Sequence, residues 1–322
     1  MKRTAIFTGL AMLSLLTADE LQAQLRAQAG VPKAIFRADA QMVLVPVTVV
    51  DHNGKTVSGL QAQDFTVLDE KTPQEIVSFT NEDAPSSVGL VLDISGSMKN
   101  ALNTSKNVAH EFFKAANPED EFLLLTVSTQ PAAVSGFTRD TDALEQSINF
   151  TKPEGMTALI DTVYLALNKS RKASQARRAL LILSDGLDNY SRYSESELMR
   201  VALEADVQVY SIIMNTGTGL MSGGTVPFRP SMAMKPADQA RERQGPNLLE
   251  KLSTQTGGLY FHVKGEAEAR EAAAKISLAI RNEYMIGYRP VDSGLSGKWH
   301  RVKVKSTVPK VNVYAREGYY AR

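Results

Sequence analysis

The pattern of apolar and polar positions divides the chain into a β-rich beginning, a middle of alternating strands and helices, and a β-rich end. Near the beginning, every second residue from Val43 to Val49 is a valine, which is typical of a strand with one buried face. Asn53-Gly54 follows as a hairpin signal. Two more strands are predicted at 65–69 and 75–80, around a turn at 71–74. Residues 38–82 are therefore predicted to form an N-terminal β module.

In the middle of the chain the apolar residues form longer runs separated by helical patterns. The run from Ser87 to Leu92 has no polar alternation, as expected for a strand buried on both faces of a parallel sheet. Further strands are predicted at 122–128, 179–183, 207–214 and 259–263, and amphipathic helices at 98–117, 157–172, 194–205 and 266–281. A short polar hairpin is predicted at 131–139. This alternation predicts an α/β fold with a doubly wound, mostly parallel sheet over residues 86–282.

The strand pattern returns after residue 282, at 284–289, 299–305 and 311–314. Each flank of the α/β domain then offers about three strands, which is marginal for a stable sheet. Our hypothesis is that the N-terminal module and the C-terminal β segment, residues 283–322, pair into one β-sandwich with the α/β domain inserted between them.

The first residues resemble a secretory signal. Lys2 and Arg3 precede an apolar segment from Ala5 to Leu16, which is shorter than the roughly 20 residues of a membrane-spanning helix. We expect a signal peptide at 1–23 and a linker at 24–37, with no stable membrane span after cleavage; an uncleaved anchor is the alternative. The chain has no cysteine, so an exported location, periplasmic or extracellular, fits a bacterial protein better than an animal one.

Polar side chains stand at three places in the predicted α/β domain. Two of these places directly follow a strand, and the third is the start of a helix. Carboxyl ends of parallel strands meet at one edge of a doubly wound sheet, so these side chains should lie together. Carboxylate and hydroxyl oxygens suit Mg²⁺ or Mn²⁺. For a single serine, a helix N-cap is an equally ordinary role. The predicted metal-binding residues are Asp93, Ser95, Ser97, Thr157 and Asp185.

These residues resemble the metal-ion-dependent adhesion site of a von Willebrand factor type A domain. The matching motifs are Asp-x-Ser-x-Ser from Asp93, Gly-x-Thr-Ala-Leu around Thr157, and Ser-Asp-Gly around Asp185. The resemblance implies a Rossmann-like fold in which the two serines and the threonine coordinate the cation and the two aspartates act mainly through water. It also implies an open position for an Asp or Glu of a protein partner. The flanking segments are similar to those of a bacterial secreted group related to this domain.

Other polar residues are predicted to have ordinary surface or packing roles. These are the acids Glu154, Asp161 and Asp188, the four scattered histidines, and the basic cluster Arg171, Lys172, Arg177 and Arg178, which we assign to a solvated helix end. The irregular stretch 217–245 is expected on the same face as the metal site, where it would add selectivity.

The function predicted from these residues is an exported adhesion or assembly module that binds a protein partner through a divalent ion. The alternative is a structural scaffold whose metal serves stability only. An enzyme is not expected, because no Gly-x-Gly-x-x-Gly follows Leu92 and no second carboxylate stands at position 95 for phosphoryl transfer. The formal net charge of +1 gives no reason to expect nucleic-acid binding.

Overall fold

The computed structural model describes residues 42–215, 247–290 and 297–321. The predicted signal peptide, the predicted linker and the stretch 217–245 lie outside the described residues. In the part that is described, no helix is both long enough and apolar enough to cross a membrane.

Four strands precede the α/β domain. They are β1 (Val43–Asp51), β2 (Phe65–Asp69), β3 (Thr72–Gln74) and β4 (Ile76–Thr80). Residues 72–74 were predicted as part of a turn and instead form β3, because the chain reverses one step earlier, where Glu70 and Lys71 have positive φ. The chain reverses at Asn53-Gly54, as the hairpin signal predicts, and the backbone N–H of Val57 donates to the carbonyl oxygen of Val49 over 2.8 Å. The returning segment is short, with one antiparallel bridge to β1, between Val50 and Thr56.

The middle of the chain alternates strands and helices. Its strands are β5 (Ser86–Asp93), β6 (Glu121–Val127), β7 (Ala132–Ala133), β8 (Arg177–Ser184), β9 (Gln208–Met214) and β10 (Tyr260–Val263). Its helices are α1 (Leu102–Lys114), α2 (Thr141–Phe150), α3 (Leu159–Ser170), α4 (Glu195–Glu204), α5 (residues 247–256) and α6 (Glu266–Arg281). A 3₁₀ turn, Gly96–Asn100, joins β5 to α1.

The middle strands form one sheet in the order β10-β9-β8-β5-β6-β7, parallel except for the short β7. Buried side chains of α1, α2 and α6 cover one face of this sheet, and those of α3, α4 and α5 cover the other. Every residue of β5 is buried, which explains its unbroken apolar run. The predicted doubly wound α/β fold is confirmed.

The predicted helices are confirmed in place, but three of them are shorter than predicted and two helices were missed. α1 spans Leu102–Lys114 rather than 98–117, α3 spans Leu159–Ser170 rather than 157–172, and α4 spans Glu195–Glu204 rather than 194–205. The sequence interpretation missed α2 and α5. α2 could have been found from its N-cap, because Asp140 Oδ1 accepts a hydrogen bond of 3.0 Å from the backbone of Ala143.

The last part of the chain adds β11 (Tyr284–Tyr288), β12 (Trp299–Ser306), β13 (Val311–Ala315) and β14 (Gly318–Tyr320). These strands pair with those at the beginning of the chain, in the orders β13-β1-β11-β4 and β14-β12-β2-β3. The valines of β1 pack against Phe65, Tyr284 and Val302 in one shared apolar core. The predicted pairing of the two flanks into a sandwich is therefore confirmed.

Both chain crossings between the sandwich and the α/β domain are held by Arg177. This residue lies at the start of β8 and is buried, so its assignment to a solvated helix end was wrong. Its guanidinium donates hydrogen bonds to the carbonyl oxygens of Glu82 (2.5 Å), Arg281 (3.1 Å) and Glu283 (3.2 Å). Glu82 lies on the entering crossing, and the other two residues lie on the exit from α6. A buried cation thus ties the two linkers together.

Candidate metal centre

The loop after β5, the loop between α2 and α3, and the loop after β8 meet at one edge of the parallel sheet. The loop after β5 is joined to the loop before α3 by two backbone hydrogen bonds, from Glu154 to Ile94 (2.8 Å) and from Gly96 to Gly155 (3.1 Å). Gly155 has φ +79°, and a Cβ there would lie 2.5 Å from Thr129 Oγ1, so the crossing requires glycine. These contacts bring the Ser95 and Thr157 segments together.

The loop after β8 is joined to the same place through Thr157. The backbone N–H of Thr157 donates to Asn189 Oδ1 over 2.9 Å. Its carbonyl oxygen accepts from the backbone N–H groups of Asn189 and Tyr190, each over 3.0 Å. Thr157 and Asp185 are both buried, and Asp185 stands before Asn189 on the same loop after β8. The fold therefore places all five predicted metal-binding residues on three directly connected loops.

Asp93, like Ser95, has no exposed surface. One carboxylate oxygen, Oδ1, accepts a hydrogen bond of 2.9 Å from the backbone N–H of Ser95. The other, Oδ2, accepts one of 2.5 Å from the hydroxyl of Ser184. Ser184 in turn accepts a hydrogen bond of 3.0 Å from the backbone of Gly186. This carboxylate is held in a fixed orientation by its neighbours on β5 and β8.

The electrostatics of this edge favour a nearby cation. The pKa of Asp93 is raised to about 6. Burial is the main cause and the negative charge of Asp185 adds to it, whereas the hydrogen bonds from Ser184 and Ser95 oppose it. Two acidic groups that repel each other in a buried place are stabilised in their ionised forms by a positive charge between or beside them. The oxygen-bearing side chains at this edge are therefore suited to binding a metal ion.

The hydroxyls of Ser95 and Ser97 lie next to each other. Ser95 occupies the N-cap position of the 3₁₀ turn, but its hydroxyl makes no capping hydrogen bond there. Ser95 Oγ instead lies 3.1 Å from Ser97 Oγ. Neighbouring oxygens around an octahedral Mg²⁺ with bonds of about 2.0–2.1 Å are separated by about 2.9 Å, so this spacing suits adjacent ligands.

Acidic residues near the site have structural roles that the sequence did not reveal. Asp188 is buried, which corrects its predicted surface role, and its Oδ1 accepts from the backbone of Ile160 (3.2 Å) and from Ser191 Oγ (2.5 Å). Asp161 Oδ1 accepts from two backbone N–H groups of the loop after β8. Clusters of three or more His, Cys, Asp or Glu are not found among the described residues.

Comparisons with known proteins agree with this architecture. Residues 88–187 match the family model of the von Willebrand factor type A domain. The matched segment lies within the α/β unit, from β5 to the loop after β8. Domains of this family often mediate protein–protein interaction or adhesion, and they commonly bind a divalent metal.

One curated relative is an uncharacterized protein of Borreliella burgdorferi, 24% identical over 193 residues, which cover 57% of this chain and 55% of the relative. The chain thus spans about half the length of that relative. Among solved structures, a von Willebrand factor type A protein from Catenulispora acidiphila is 11% identical with a TM-score of 0.49, covering 88% of this chain and 75% of that one. An aerotolerance-related membrane protein from Bacteroides fragilis is 17% identical with a TM-score of 0.44, covering 61% of this chain and 98% of that one.

Proposed function

We propose that this protein binds a divalent cation, Mg²⁺ or Mn²⁺, through Asp93, Ser95, Ser97, Thr157 and Asp185, and that the bound ion binds a carboxylate of a protein partner. The observation that carries the proposal is the fixed, buried Asp93 beside Asp185, with two serine hydroxyls spaced as adjacent ligands. Three neutral hydroxyls leave much of the charge of the ion uncompensated, so an acidic group from outside is the natural further ligand.

The first experiment measures the metal alone. Isothermal titration of the full chain with MgCl₂ and with MnCl₂ should show one site, and Asp93→Ala and Ser95→Ala should weaken or abolish it. Glu154→Gln is the matched control, because Glu154 is an exposed acid on the loop that carries Thr157. Equal binding by wild type and Asp93→Ala would refute the metal site.

The second experiment asks for the partner carboxylate. Proteins captured on the immobilised chain in Mg²⁺ should be released by EDTA and should not bind Asp93→Ala. Captured partners should lose binding when the contacting Asp or Glu is changed to Asn or Gln. A metal that stabilises the chain while no carboxylate-dependent partner exists would support the scaffold alternative instead.

The proposed role is binding rather than catalysis. The four histidines, which are the commonest general bases, lie on the sandwich, on α1 and on β10, away from the three loops. We also propose that the protein is exported, on the basis of the leader-like pattern at 1–23 and the lack of cysteine. Sequencing the N-terminus of the protein recovered from each cell fraction tests the export and the cleavage.

A further inference from the structure

Large apolar side chains are exposed beside the candidate metal centre. Met156 is 44% exposed, Tyr190 is 51% exposed and Tyr193 is 41% exposed. Met156 precedes Thr157 in the chain, and the backbone of Tyr190 is hydrogen-bonded to the Thr157 carbonyl oxygen over 3.0 Å. We call these three residues the apolar rim. It borders the same threonine that is proposed to hold the ion.

The apolar rim is held in place by the surrounding structure. The backbone N–H of Tyr193 donates to Asp161 Oδ1 over 3.0 Å. The ring of Tyr193 stacks on Tyr164 of α3, with centroids 4.0 Å apart and planes within 10°. The backbone N–H of Met156 donates to Thr129 Oγ1 over 2.9 Å. The backbone that carries these side chains is therefore already ordered in the free protein, which reduces the entropy lost when a partner binds.

The composition of this surface is that of a protein–protein interface. Tyr, Met and Arg are enriched at interfaces, whereas Lys, Glu and Asp are depleted there. Arg192 lies between the two rim tyrosines and is exposed, and no ion pair of Arg192 is found in the described part of the chain. An exposed apolar patch next to such a cation suits a partner segment that is acidic and also carries an apolar side chain.

We infer that the protein recognises a peptide segment in which the metal-binding Asp or Glu has an aromatic or large aliphatic residue within about two positions. The carboxylate goes to the ion, and the neighbouring side chain lies on Met156 and Tyr190. This inference rests on the proposed metal-dependent function and names the class of partner for the same site. Two residues of extended chain span about 7 Å, and Met156 is adjacent to Thr157 in the chain, so the neighbouring side chain needs to lie only one or two positions from the carboxylate.

The test uses a displayed library of random dodecapeptides, selected on the full chain in MgCl₂ and eluted with EDTA. The eluted peptides should be enriched in an acidic residue with a large apolar residue within two positions. Synthetic peptides from the selection should bind Tyr190→Ser and Met156→Ser about fivefold or more weakly than wild type. Tyr260→Ser is the matched control, because Tyr260 is 37% exposed at the opposite, amino end of β10, and it should bind as wild type does.

The outcomes separate this inference from the proposal on which it rests. If EDTA-released peptides carry an acid without an apolar neighbour, or bind the rim variants as tightly as wild type, the apolar rim has no role while the metal function stands. If peptides depend on Tyr190 but bind equally in EDTA and to Asp93→Ala, the metal-linked recognition is overturned. A selection that yields no EDTA-released peptide also overturns it. Mg²⁺ titration of Tyr190→Ser should match wild type, which shows that the metal centre itself is intact.

Discussion

Ser184 and Asp93 lie at the ends of neighbouring parallel strands, and the Ser184 hydroxyl donates a hydrogen bond of 2.5 Å to Asp93 Oδ2. Since Ser95 donates to the other oxygen of the same carboxylate, Asp93 is oriented from two sides. The carboxylate of the candidate metal-binding motif is therefore oriented in part by a residue on β8 that stands 91 positions away in the chain.

Ser184→Ala should weaken Mg²⁺ binding by about 10–100-fold, because groups that orient a metal-binding residue are worth that much in affinity. Isothermal titration measures the change. Ser211→Ala is the matched control, since Ser211 is a buried strand serine whose hydroxyl lies 2.9 Å from that of Ser253, away from the site. Equal weakening by both variants would assign the effect to general loosening of the sheet.

Metal binding should stabilise the folded chain. At a free Mg²⁺ concentration about a hundredfold above Kd, the free energy of unfolding should rise by about 2.7 kcal/mol. Thermal unfolding of wild type in Mg²⁺ and in EDTA measures this, and Asp93→Ala should show no difference between the two. A wild-type Tm that does not respond to EDTA would contradict the metal site.

Arg177→Met should lower the free energy of unfolding by about 3–5 kcal/mol, because the buried carbonyl oxygens of both linkers and the Glu283 carboxylate lose their cation. Urea denaturation measures the loss. Arg178→Met is the control: Arg178 is the next residue, half-buried, with a single side-chain hydrogen bond to Gln175. A loss below about 1 kcal/mol for Arg177→Met would show that the two linkers hold without it.

Glu283 gives a prediction for pH. Burial raises its pKa to about 8, against the opposing effect of Arg177, from an ordinary value of 4.5. Its Oε2 lies 4.0 Å from Arg177 Nε, and Oε1 has no hydrogen-bond partner among the described residues. Between these pH values the folded chain holds more protons than the unfolded chain. The contribution of Glu283 to the free energy of unfolding therefore falls as pH rises from about 4.5 to about 8.

The variant Glu283→Gln does not titrate, so it should gain stability relative to wild type across the same pH range, by at most about 1.4 kcal/mol per pH unit. Urea denaturation at pH 5, 6, 7 and 8 measures the difference. The exposed Glu204→Gln should show no such trend. A difference between wild type and Glu283→Gln that is constant with pH would mean that Glu283 is ionised throughout.

Much of the fold was predictable because periodicity is a local property. The helix predicted at 266–281 has those bounds, with Ala269, Ala273 and Ile276 buried as expected. The helix predicted at 194–205 is α4, and it begins with a local capping box in which the Ser194 N–H donates a hydrogen bond of 2.8 Å to Glu197 Oε2. Elements that depend on distant contacts were harder: β3 is set by its pairing with β2, and α2 has only a short apolar face.

Side chains that act across the fold could not be read from the chain at all. Arg177 was assigned to a solvated helix end because it stands among other basic residues, yet the pairing of β8 with β5 draws it inside. His300 likewise looked ordinary, but it is buried with its Nδ1 3.1 Å from Asp69 Oδ1, and Asp69 also accepts hydrogen bonds from Tyr288 and Tyr319. This network joins strands from both ends of the chain.

The sequence by itself determined the α/β class of the central domain and most strands of both flanks, and it pointed to five oxygen-bearing residues as candidate metal ligands. It could do so because side-chain periodicity and short motifs depend only on neighbours in the chain. The tertiary structure alone decided which strands pair, that Ser184 orients Asp93, that Arg177 is buried at the linkers, and that Tyr190 borders Thr157. These relationships depend on burial and hydrogen bonds between residues far apart in the chain, and no local pattern specifies them.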